Sequence, residues 1–166
     1  MLFLRIPGCM EDGNLRLRPL RISDGPFILR RLNDRAILKA NGLSRPIASS
    51  WFFVWWWMKK TFTPSYFIEC DSKQIGFIGL YNLIPGKSAG MGLIIFDKNN
   101  RRLGYGTRAF NICAQGMQRN SVVKEIIVKV KTDNHGALSF WRKLGFVEAG
   151  IINDLITMSM GLQRRI

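Results

Sequence analysis

The sequence predicts a mixed α/β fold built on one mixed, largely antiparallel sheet that is flanked by about four helices. Short alternating or apolar segments, which are typical of strands, are interspersed with segments of helical periodicity. No internal repeat and no Pro/Gly/Ser-rich linker divides the 166 residues. A hydrophobic content of 47% suits a single buried core. The predicted element order is β-α-α-β-β-β-α-β-α-β-β.

Domain organisation follows from the N-terminal residues. Residues 1–13 are predicted to form an extension, and residues 14–166 a single domain. Arg5 and Pro7 interrupt the opening apolar residues, which excludes the apolar core of a secretory signal. No apolar run reaches the roughly 18 residues that span a bilayer, so no transmembrane segment is expected.

The cysteines bear on redox setting and metal binding. Cys9, Cys70 and Cys113 are widely spaced and form no C-x-x-C pair, and His135 is the only histidine. This pattern is neither a disulfide framework nor a zinc site, so we expect no metal. A cytoplasmic location is predicted, because free thiols persist in a reducing compartment.

In the N-terminal half, one strand and two helices are predicted. Leu15–Leu20 alternates apolar and basic residues, which is typical of a half-buried strand. A helix follows over Gly25–Asn33, with Pro26 in the first turn, where a missing N–H costs little. Asn41-Gly42 is expected to interrupt the chain before a second helix over Trp51–Lys60.

The middle of the chain is rich in strands. Tyr66–Cys70 and Gln74–Tyr81 flank Asp71-Ser72-Lys73, which predicts a hairpin. Pro85–Ser88 predicts another turn. The apolar run Met91–Phe96 is then typical of a strand covered on both faces.

In the C-terminal half, two helices and three strands are predicted. The first helix opens at Arg101 and carries one apolar stripe made of Phe110, Cys113, Ala114 and Met117. A β-rich strand covers Glu125–Lys131. The second helix, Asn134–Leu144, ends before Gly145. The chain closes with a hairpin of Phe146–Ile152 and Leu155–Met160.

The turn after Met91–Phe96 has the features of an anion site. Arg101–Thr107 begins a helix, and the first N–H groups of a helix lack internal acceptors and carry the positive end of its dipole. Gly104 and Gly106 lack the Cβ atoms that would obstruct a phosphate, and Arg101 and Arg102 add positive charge. Glycines in a first turn also serve packing alone, so this pattern by itself leaves both interpretations open.

A second motif, later in the chain, brings out a family resemblance. Arg101, Gly104 and Gly106 match an R/Q-x-x-G-x-G/A turn, and a later N-x-x-A-x-x-[LF]-Y-x-x-x-G-F pattern is matched by Asn134, Ala137, Phe140, Gly145 and Phe146. Both motifs, in this order, resemble the GNAT superfamily of N-acetyltransferases. Leu15–Pro19 and Gln74–Gly79 look like the branch that acetylates the N-termini of ribosomal proteins.

The resemblance implies acetyl-CoA as the acyl donor and a GNAT-like fold whose fourth and fifth strands splay apart. The pantetheine arm would enter that gap, and the pyrophosphate would lie on amides of the glycine turn. The implied cofactor-binding residues are Leu93, Ile94, Ile95, Phe96, Arg101, Arg102, Leu103, Gly104, Tyr105, Gly106, Thr107, Asn134, Ala137, Phe140 and Trp141. The implied catalytic groups are the backbone N–H of Ile95, as oxyanion donor, and the amide of Asn134.

The implied reaction is direct attack of a primary amine, either a protein N-terminus or a small amine, on the thioester. Two positions depart from the family pattern: Trp141 stands where a tyrosine usually protonates the thiolate, and Gly90 stands where a carboxylate is often found. Tyr81 or Glu69 are possible substitutes, with a structural role as the alternative for each. We therefore expect slow or differently arranged catalysis.

Charge and aromatic content leave a second function open. Lys and Arg number 25 against 11 Asp and Glu, a net charge of +14 that attracts polyanions. A catalytically degenerate CoA-binding adaptor on nucleic acid or ribosomes is therefore the alternative to an enzyme. The aromatic segment Trp51–Met58 is apolar on every side of its helix, which predicts an acceptor groove or a homodimer contact.

Overall fold

The protein is described here from a computed structural model that covers residues 6–40 and 43–162. The predicted interruption at Asn41-Gly42 lies outside these residues. An eight-stranded sheet has the strand order β1-β2-β3-β4-β5-β6-β8-β7. Its strands are Met10–Asp12 (β1), Leu15–Pro19 (β2), Ser65–Cys70 (β3), Lys73–Ile84 (β4), Ser88–Ile95 (β5), Glu125–Lys131 (β6), Val147–Ile152 (β7) and Leu155–Gly161 (β8).

Five α-helices cover the sheet in the described part of the chain. They are Gly25–Leu32 (α1), Arg35–Ala40 (α2), Ser49–Phe62 (α3), Tyr105–Arg119 (α4) and His135–Lys143 (α5). Every strand pair is antiparallel except β5 and β6, which run parallel. The mixed, largely antiparallel sheet predicted from the sequence is confirmed.

Each face of the sheet packs against its own helices. On one face, α4 and α5 bury the stripe predicted from the sequence, and Phe110, Cys113 and Met117 are at most 2% exposed. On the other face, α1, α2 and α3 enclose a smaller core around Phe52 and Trp56. The splayed strands therefore lie between two separately packed layers, one on each side.

Two N-terminal elements were not predicted. Met10–Asp12 adds an edge strand, with Met10 paired to Leu17, so the sheet begins before the expected domain start at residue 14. A three-residue polar strand has no periodicity from which it could be recognised. The short helix α2 follows Asp34, whose Oδ1 accepts a hydrogen bond from the N–H of Ala36 at 2.9 Å.

Two predicted hairpins are confirmed, and left-handed backbone conformations explain their turns. Asp71 and Ser72 have φ angles of 48° and 65°, and Asn153 and Asp154 have φ angles of 47° and 62°. Consecutive residues of this kind form the two-residue turns that suit the twist of antiparallel strands. These turns fix the registers of β3 with β4 and of β7 with β8.

The predicted start of α4 at Arg101 is wrong. Lys98–Asn100 form a 3-10 turn, and Arg102 and Gly104 have φ angles of 62° and 81°, so the helix begins only at Tyr105. A left-handed residue cannot continue a right-handed helix. The segment 101–104 is thus a loop that leads into the helix, and this loop forms one end of the candidate site.

Candidate active site

The defining feature of the site is a gap between two neighbouring parallel strands. β5 and β6 pair only where Ser88–Gly90 face Glu125–Ile127. Beyond this point β5 stays paired with β4 as far as Ile95, and β6 stays paired with β8 as far as Lys131. The splayed pair implied by the resemblance is therefore present, and the gap opens from Gly90 toward the C-terminal ends of both strands.

Backbone alternation decides which amides of β5 face this gap. The N–H of Phe96 donates to the carbonyl of Ile75, so it points toward β4, and Ile94 points the same way because successive residues alternate. Leu93 and Ile95 therefore present their N–H and C=O groups to the gap. Such groups need a partner, which an extended ligand lying along β5 would supply.

Two residues of the implied cofactor set face away from the gap. The side chain of Ile94 packs against the core under α1–α3, and Phe96 is 6% exposed in the same core. The ring of Phe96 contacts Phe27 with centroids 5.9 Å apart, and the guanidinium of Arg31 lies 5.6 Å from its centroid. Phe96 is thus a packing residue at the end of β5.

The Arg101 side chain folds back onto the strand. Its Nε donates to the carbonyl of Ile95 at 3.1 Å, and its Nη2 donates to the carbonyl of Phe96 at 3.3 Å. The guanidinium therefore brings positive charge to the open end of the gap while it fixes the loop to β5. Arg102 and Leu103 follow as exposed loop residues.

The loop ends in free helix amides. Gly104 is the N-cap residue of α4 and no side chain caps the helix there; the first helical bond runs from Arg108 N–H to Gly104 C=O at 3.0 Å. The N–H groups of Tyr105, Gly106 and Thr107 thus precede the first bonded turn. A Cβ at residue 104 would meet nothing within 4 Å, so the space above this turn is open. The arrangement fits a phosphate.

Gly106 has a different role from Gly104. A Cβ at residue 106 would lie 3.3 Å from Cε2 of Phe140 and 3.6 Å from Cδ2 of Leu93. The absence of a side chain therefore lets α4 approach α5 and β5 closely. The expectation that this glycine clears room for phosphate is wrong, because its missing Cβ faces packed side chains rather than open space.

Tyr105 contributes its backbone to the turn but directs its side chain elsewhere. Its phenol lies beside Cys70 at the end of β3, and the interaction with this thiol raises the pKa of Tyr105. The hydroxyl is therefore committed to the sheet edge, away from the gap.

The later motif is mainly structural in this protein. Oδ1 of Asn134 accepts from the N–H of Ala137 at 3.2 Å and caps α5. Ala137 and Phe140 are half-buried against the core. Trp141 is 6% exposed and packs edge-on to Phe110, Phe140 and Phe146, so this indole belongs to the core rather than to a surface around a thiol. His135 is exposed.

At the closed end of the gap, a tyrosine occupies the place of the missing carboxylate. Tyr81 pairs with Gly90 across β4 and β5. The ring carbons Cδ2, Cε2 and Cζ of Tyr81 fill the space that a Cβ at residue 90 would need, with Cζ 2.5 Å from that position. Gly90 is therefore required by this ring. Burial raises the pKa of the phenol, so it stays a neutral hydroxyl.

A lysine that sequence reasoning did not identify lies behind Tyr81. Lys59 of α3 is 9% exposed; its Nζ donates to the carbonyl of Leu80 and lies 5.7 Å from the Tyr81 ring centroid. Burial lowers the pKa of Lys59 from 10.5 to about 8. No local pattern identifies this residue, because its role depends on how α3 packs over β4.

The other suggested substitute, Glu69, is engaged elsewhere. Its Oε1 accepts from Nε of Arg18 at 2.8 Å, and the same guanidinium makes two bonds of 3.0 Å to Asp24. All three side chains are at most 12% exposed. Glu69 is part of a buried ion network and lies in β3, two strands from the gap.

The aromatic helix α3 has two faces. Phe52 and Trp56 are at most 3% exposed in the core, while the outer face carries side chains that are 47% to 71% exposed: Trp51, Phe53, Val54, Trp57 and Met58. Only a minority of the segment thus packs inward. No helix in the described ranges is long and apolar enough to cross a membrane.

A separate groove of about 600 Å³ lies between β1 and α4, lined by residues that include Glu11, Asp12, Arg108 and Arg119. None of the implied cofactor-binding residues lines it, so this groove lies apart from the implied cofactor site. Within residues 6–40 and 43–162, no cluster of His, Cys, Asp and Glu is arranged to hold a metal ion.

Comparison with known proteins agrees with this architecture. The chain is 27% identical, over 133 residues, to an N-alpha-acetyltransferase of Sulfurisphaera tokodaii. The aligned region covers 74% of this chain and 80% of the relative. Among solved structures, the fold is similar to that of the ribosomal L7/L12 alpha-N-protein acetyltransferase RimL, with a TM-score of 0.76, 15% identity and coverage of 94% of this chain and 93% of the other.

A second solved structure carries its ligands. The spermidine N-acetyltransferase of Vibrio cholerae, in complex with CoA and spermine, has a TM-score of 0.77 at 20% identity, covering 91% of this chain and 97% of the other. The family model described as an acetyltransferase (GNAT) domain matches residues 14–147. The gap, the glycine turn and this match lead to one conclusion: the chain belongs to the GNAT family and is an acetyltransferase.

Proposed function

We propose that this enzyme transfers the acetyl group of acetyl-CoA to a primary amine, and that the acceptor is the N-terminal α-amine of a polypeptide. The observation that carries the proposal is the gap between β5 and β6, lined on one side by amides of β5 and ending at the free helix amides of Tyr105–Thr107. A long thiol carrier with a phosphorylated end fits such a channel.

The direction of the bound donor follows from the two ends of the gap. With phosphates on the turn beyond Ile95, the thioester would reach the closed end near Gly90. The gap-facing N–H of Leu93 is then nearer the reacting carbonyl than that of Ile95, whose carbonyl is held by Arg101 at the open end. We therefore assign the oxyanion donor to Leu93 in place of Ile95. One such donor is worth about 10²–10³ in rate.

We take the face of the sheet under α1–α3 as the acceptor face, and its charge favours an α-amine over a polyamine. Three carboxylates on this face are paired with arginines: Asp24 and Glu69 with Arg18, and Asp97 with Arg31. Lys59 adds a positive charge beside Tyr81. These paired carboxylates offer a polycation little electrostatic attraction, and the net charge of +14 repels it further.

The ionisation of the acceptor points the same way. An α-amino group has a pKa of about 7.7–8.0 and a lysine-like amine about 10.4, so at pH 7.4 roughly a quarter of the first but about a thousandth of the second is neutral. A site without a free carboxylate beside the reacting atoms gains most from an acceptor that loses its proton readily.

Other parts of the proposal concern location and partners. We place the enzyme in the cytoplasm, because Cys9, Cys70 and Cys113 are free thiols. The exposed apolar face of α3 supports a homodimer contact. The absent carboxylate at Gly90 is one feature that would favour a catalytically degenerate adaptor, and the Tyr81 ring gives this glycine a structural reason. A nucleic acid or ribosome partner stays a prediction that rests on charge.

The test combines binding and turnover on the same preparation. Calorimetry with CoA and acetyl-CoA should give saturable heat, and thiol release should be seen with N-terminal peptides well before spermidine or a lysine side-chain amine. Absence of heat with both carriers would refute the proposed cofactor site. Faster turnover with spermidine than with any peptide at pH 7.4 would refute the proposed acceptor while leaving the cofactor site standing.

A further inference from the structure

Tyr81 is placed to do chemistry as well as packing. Residues of β4 alternate in direction: Ile78 and Leu80 enter the core beneath α4, whereas Phe77 enters the core beneath α1–α3. Tyr81 shares the second face, which is the side on which Gly90 and Gly92 lie. A Cβ at Gly92 would meet nothing within 4 Å, so space is open beside Gly90 on that face.

The direction of the ring follows from its contacts. Tyr81 starts on β4 and its ring lies against Gly90 of β5, with Cζ 2.5 Å from the position of a Cβ on residue 90. Neighbouring strands are only about 4.7–4.9 Å apart, so a ring that reaches from β4 to residue 90 extends its hydroxyl toward the β6 side. Gly90 and Ile127 are the last paired residues of β5 and β6. The hydroxyl therefore stands at the closed end of the gap.

Lys59 contacts the face of the Tyr81 ring. Its Nζ is fixed by the carbonyl of Leu80, the residue before Tyr81, and lies on the face of the ring. We call Tyr81, Lys59 and Gly90 the tyrosine bridge. The bridge supplies a hydroxyl from β4 at the point where residue 90 of β5 has no side chain to offer.

We propose that the Tyr81 hydroxyl is the catalytic proton shuttle of the reaction and that Lys59 is its positioning residue. This inference rests on the proposed function. The amine nitrogen forms a bond to the thioester carbon, and the carbon–sulfur bond breaks with its electron pair left on sulfur. The excess proton on nitrogen passes to the Tyr81 oxygen while the hydroxyl gives its own proton to sulfur. The products are the amide and the thiol, and the hydroxyl is restored.

A single hydroxyl that both accepts and donates accounts for both departures from the family pattern. Trp141 is buried in the core and an indole N–H cannot act as an acid at neutral pH, while Gly90 has no side chain. Among the described residues, the other ionisable groups on this side include the carboxylates of Asp24, Glu69 and Asp97 with their partners Arg18 and Arg31, the lysines of β6, and Glu125. Glu125 lies before Ile127, beyond the closed end of the gap.

The central variant is Tyr81→Phe, which removes one oxygen. We expect kcat to fall roughly 10²-fold, the size of a general acid–base contribution, with CoA affinity unchanged. The matched control is Tyr66→Phe, which removes a buried hydroxyl bonded to the Pro7 carbonyl on the opposite face of the sheet. This control should keep kcat within about twofold, so a general effect of losing a tyrosine hydroxyl is excluded.

A second route reaches the same bridge without touching Tyr81. A methyl group in Gly90→Ala collides with the ring and displaces it, so a loss of similar size is expected. The kcat of the double variant Tyr81→Phe/Gly90→Ala should be little lower than that of either single variant, because both substitutions remove the same function. Fully additive losses would overturn the bridge.

The pH profile separates a shuttle from a titrating base. Burial raises the pKa of Tyr81, so its hydroxyl stays neutral, and below about pH 7 Lys59 keeps its proton as well; the ratio of wild-type to Tyr81→Phe rates should therefore be constant between about pH 6 and 7 and fall as Lys59 loses its proton near pH 8. A ratio that changes between about pH 6 and 7 would overturn the assignment, because the lost group would then titrate where neither Tyr81 nor Lys59 does.

The failures of the two proposals are distinguishable. If the wild type binds CoA and transfers acetyl groups but Tyr81→Phe does so equally well, the shuttle is refuted and the proposed function stands. If Glu125→Gln rather than Tyr81→Phe removes activity, the proton passes to the carboxylate and the shuttle is again refuted. If the wild type transfers no acetyl group to any amine, both proposals fall together.

Discussion

Lys59→Met tests whether α3 buries a titrating amine against β4. Burial lowers the pKa of Lys59 from 10.5 to about 8 in the folded chain. Below pH 8 the lysine is protonated in both folded and unfolded chains. Between about pH 8 and 10.5 the unfolded chain binds this proton and the folded chain does not. The contribution of Lys59 to the free energy of unfolding therefore rises with pH across this window.

The magnitude follows from the two pKa values. One pKa unit corresponds to about 1.4 kcal/mol, so the rise across the window is about 3 kcal/mol in the wild type and absent in Lys59→Met. At pH 7 the variant avoids this desolvation cost but leaves the Leu80 carbonyl without its donor, a loss of about 1–3 kcal/mol. The variant should therefore be as stable as the wild type at pH 7, or up to about 2 kcal/mol more stable.

The assay is urea denaturation of both proteins at pH 7, 8, 9 and 10. The other lysines and tyrosines titrate in both proteins, so the difference between the two free energies of unfolding isolates Lys59. We expect the free energy of unfolding of the wild type to rise relative to that of the variant as the pH increases. A difference that stays constant from pH 7 to pH 10 would show that Lys59 titrates as an exposed lysine, and the packing of α3 on β4 described here would be wrong.

Two further predictions address the phosphate turn and the buried ions. Gly104→Val should weaken CoA binding at least tenfold, as measured by calorimetry. The control is Gly86→Val, at an open turn residue with a comparable φ of +70°, which should carry the same backbone strain without loss of CoA affinity. Equal CoA affinities in the two variants would contradict the phosphate assignment. Arg18→Met leaves Asp24 and Glu69 buried without their cation and should lower the free energy of unfolding by about 3–5 kcal/mol. The control Arg142→Met breaks an exposed pair with Glu148 and should lower it by less than about 1 kcal/mol. Equal losses of stability in urea denaturation would show that the Arg18 network is solvated.

Features with a local cause could be predicted from the sequence. The strands around the Asp71 and Asn153 hairpins follow from alternation and turn residues within a few positions of one another. The buried stripe of α4 follows from its spacing in the same way. Gly104 was also identified from its glycine motif as part of an anion-binding turn, although the helix start was predicted too early, at Arg101. Each of these signals lies within one element and its flanking turn.

Features decided between elements could not be predicted. The sequence separates Lys59, Tyr81 and Gly90, and only the packing of α3 over β4 and the register of β4 with β5 make them neighbours. In the sequence, Gly90 stands where the family often has a carboxylate, so it is interpreted as a loss. In the fold, the ring of Tyr81 from the neighbouring strand occupies the space of a side chain at residue 90 and therefore requires glycine there. Side-chain contacts across strands depend on register, which a linear pattern does not encode. The family and its fold therefore follow from the sequence, whereas the choice of Tyr81 over Glu69 as the proposed proton shuttle rests on tertiary structure.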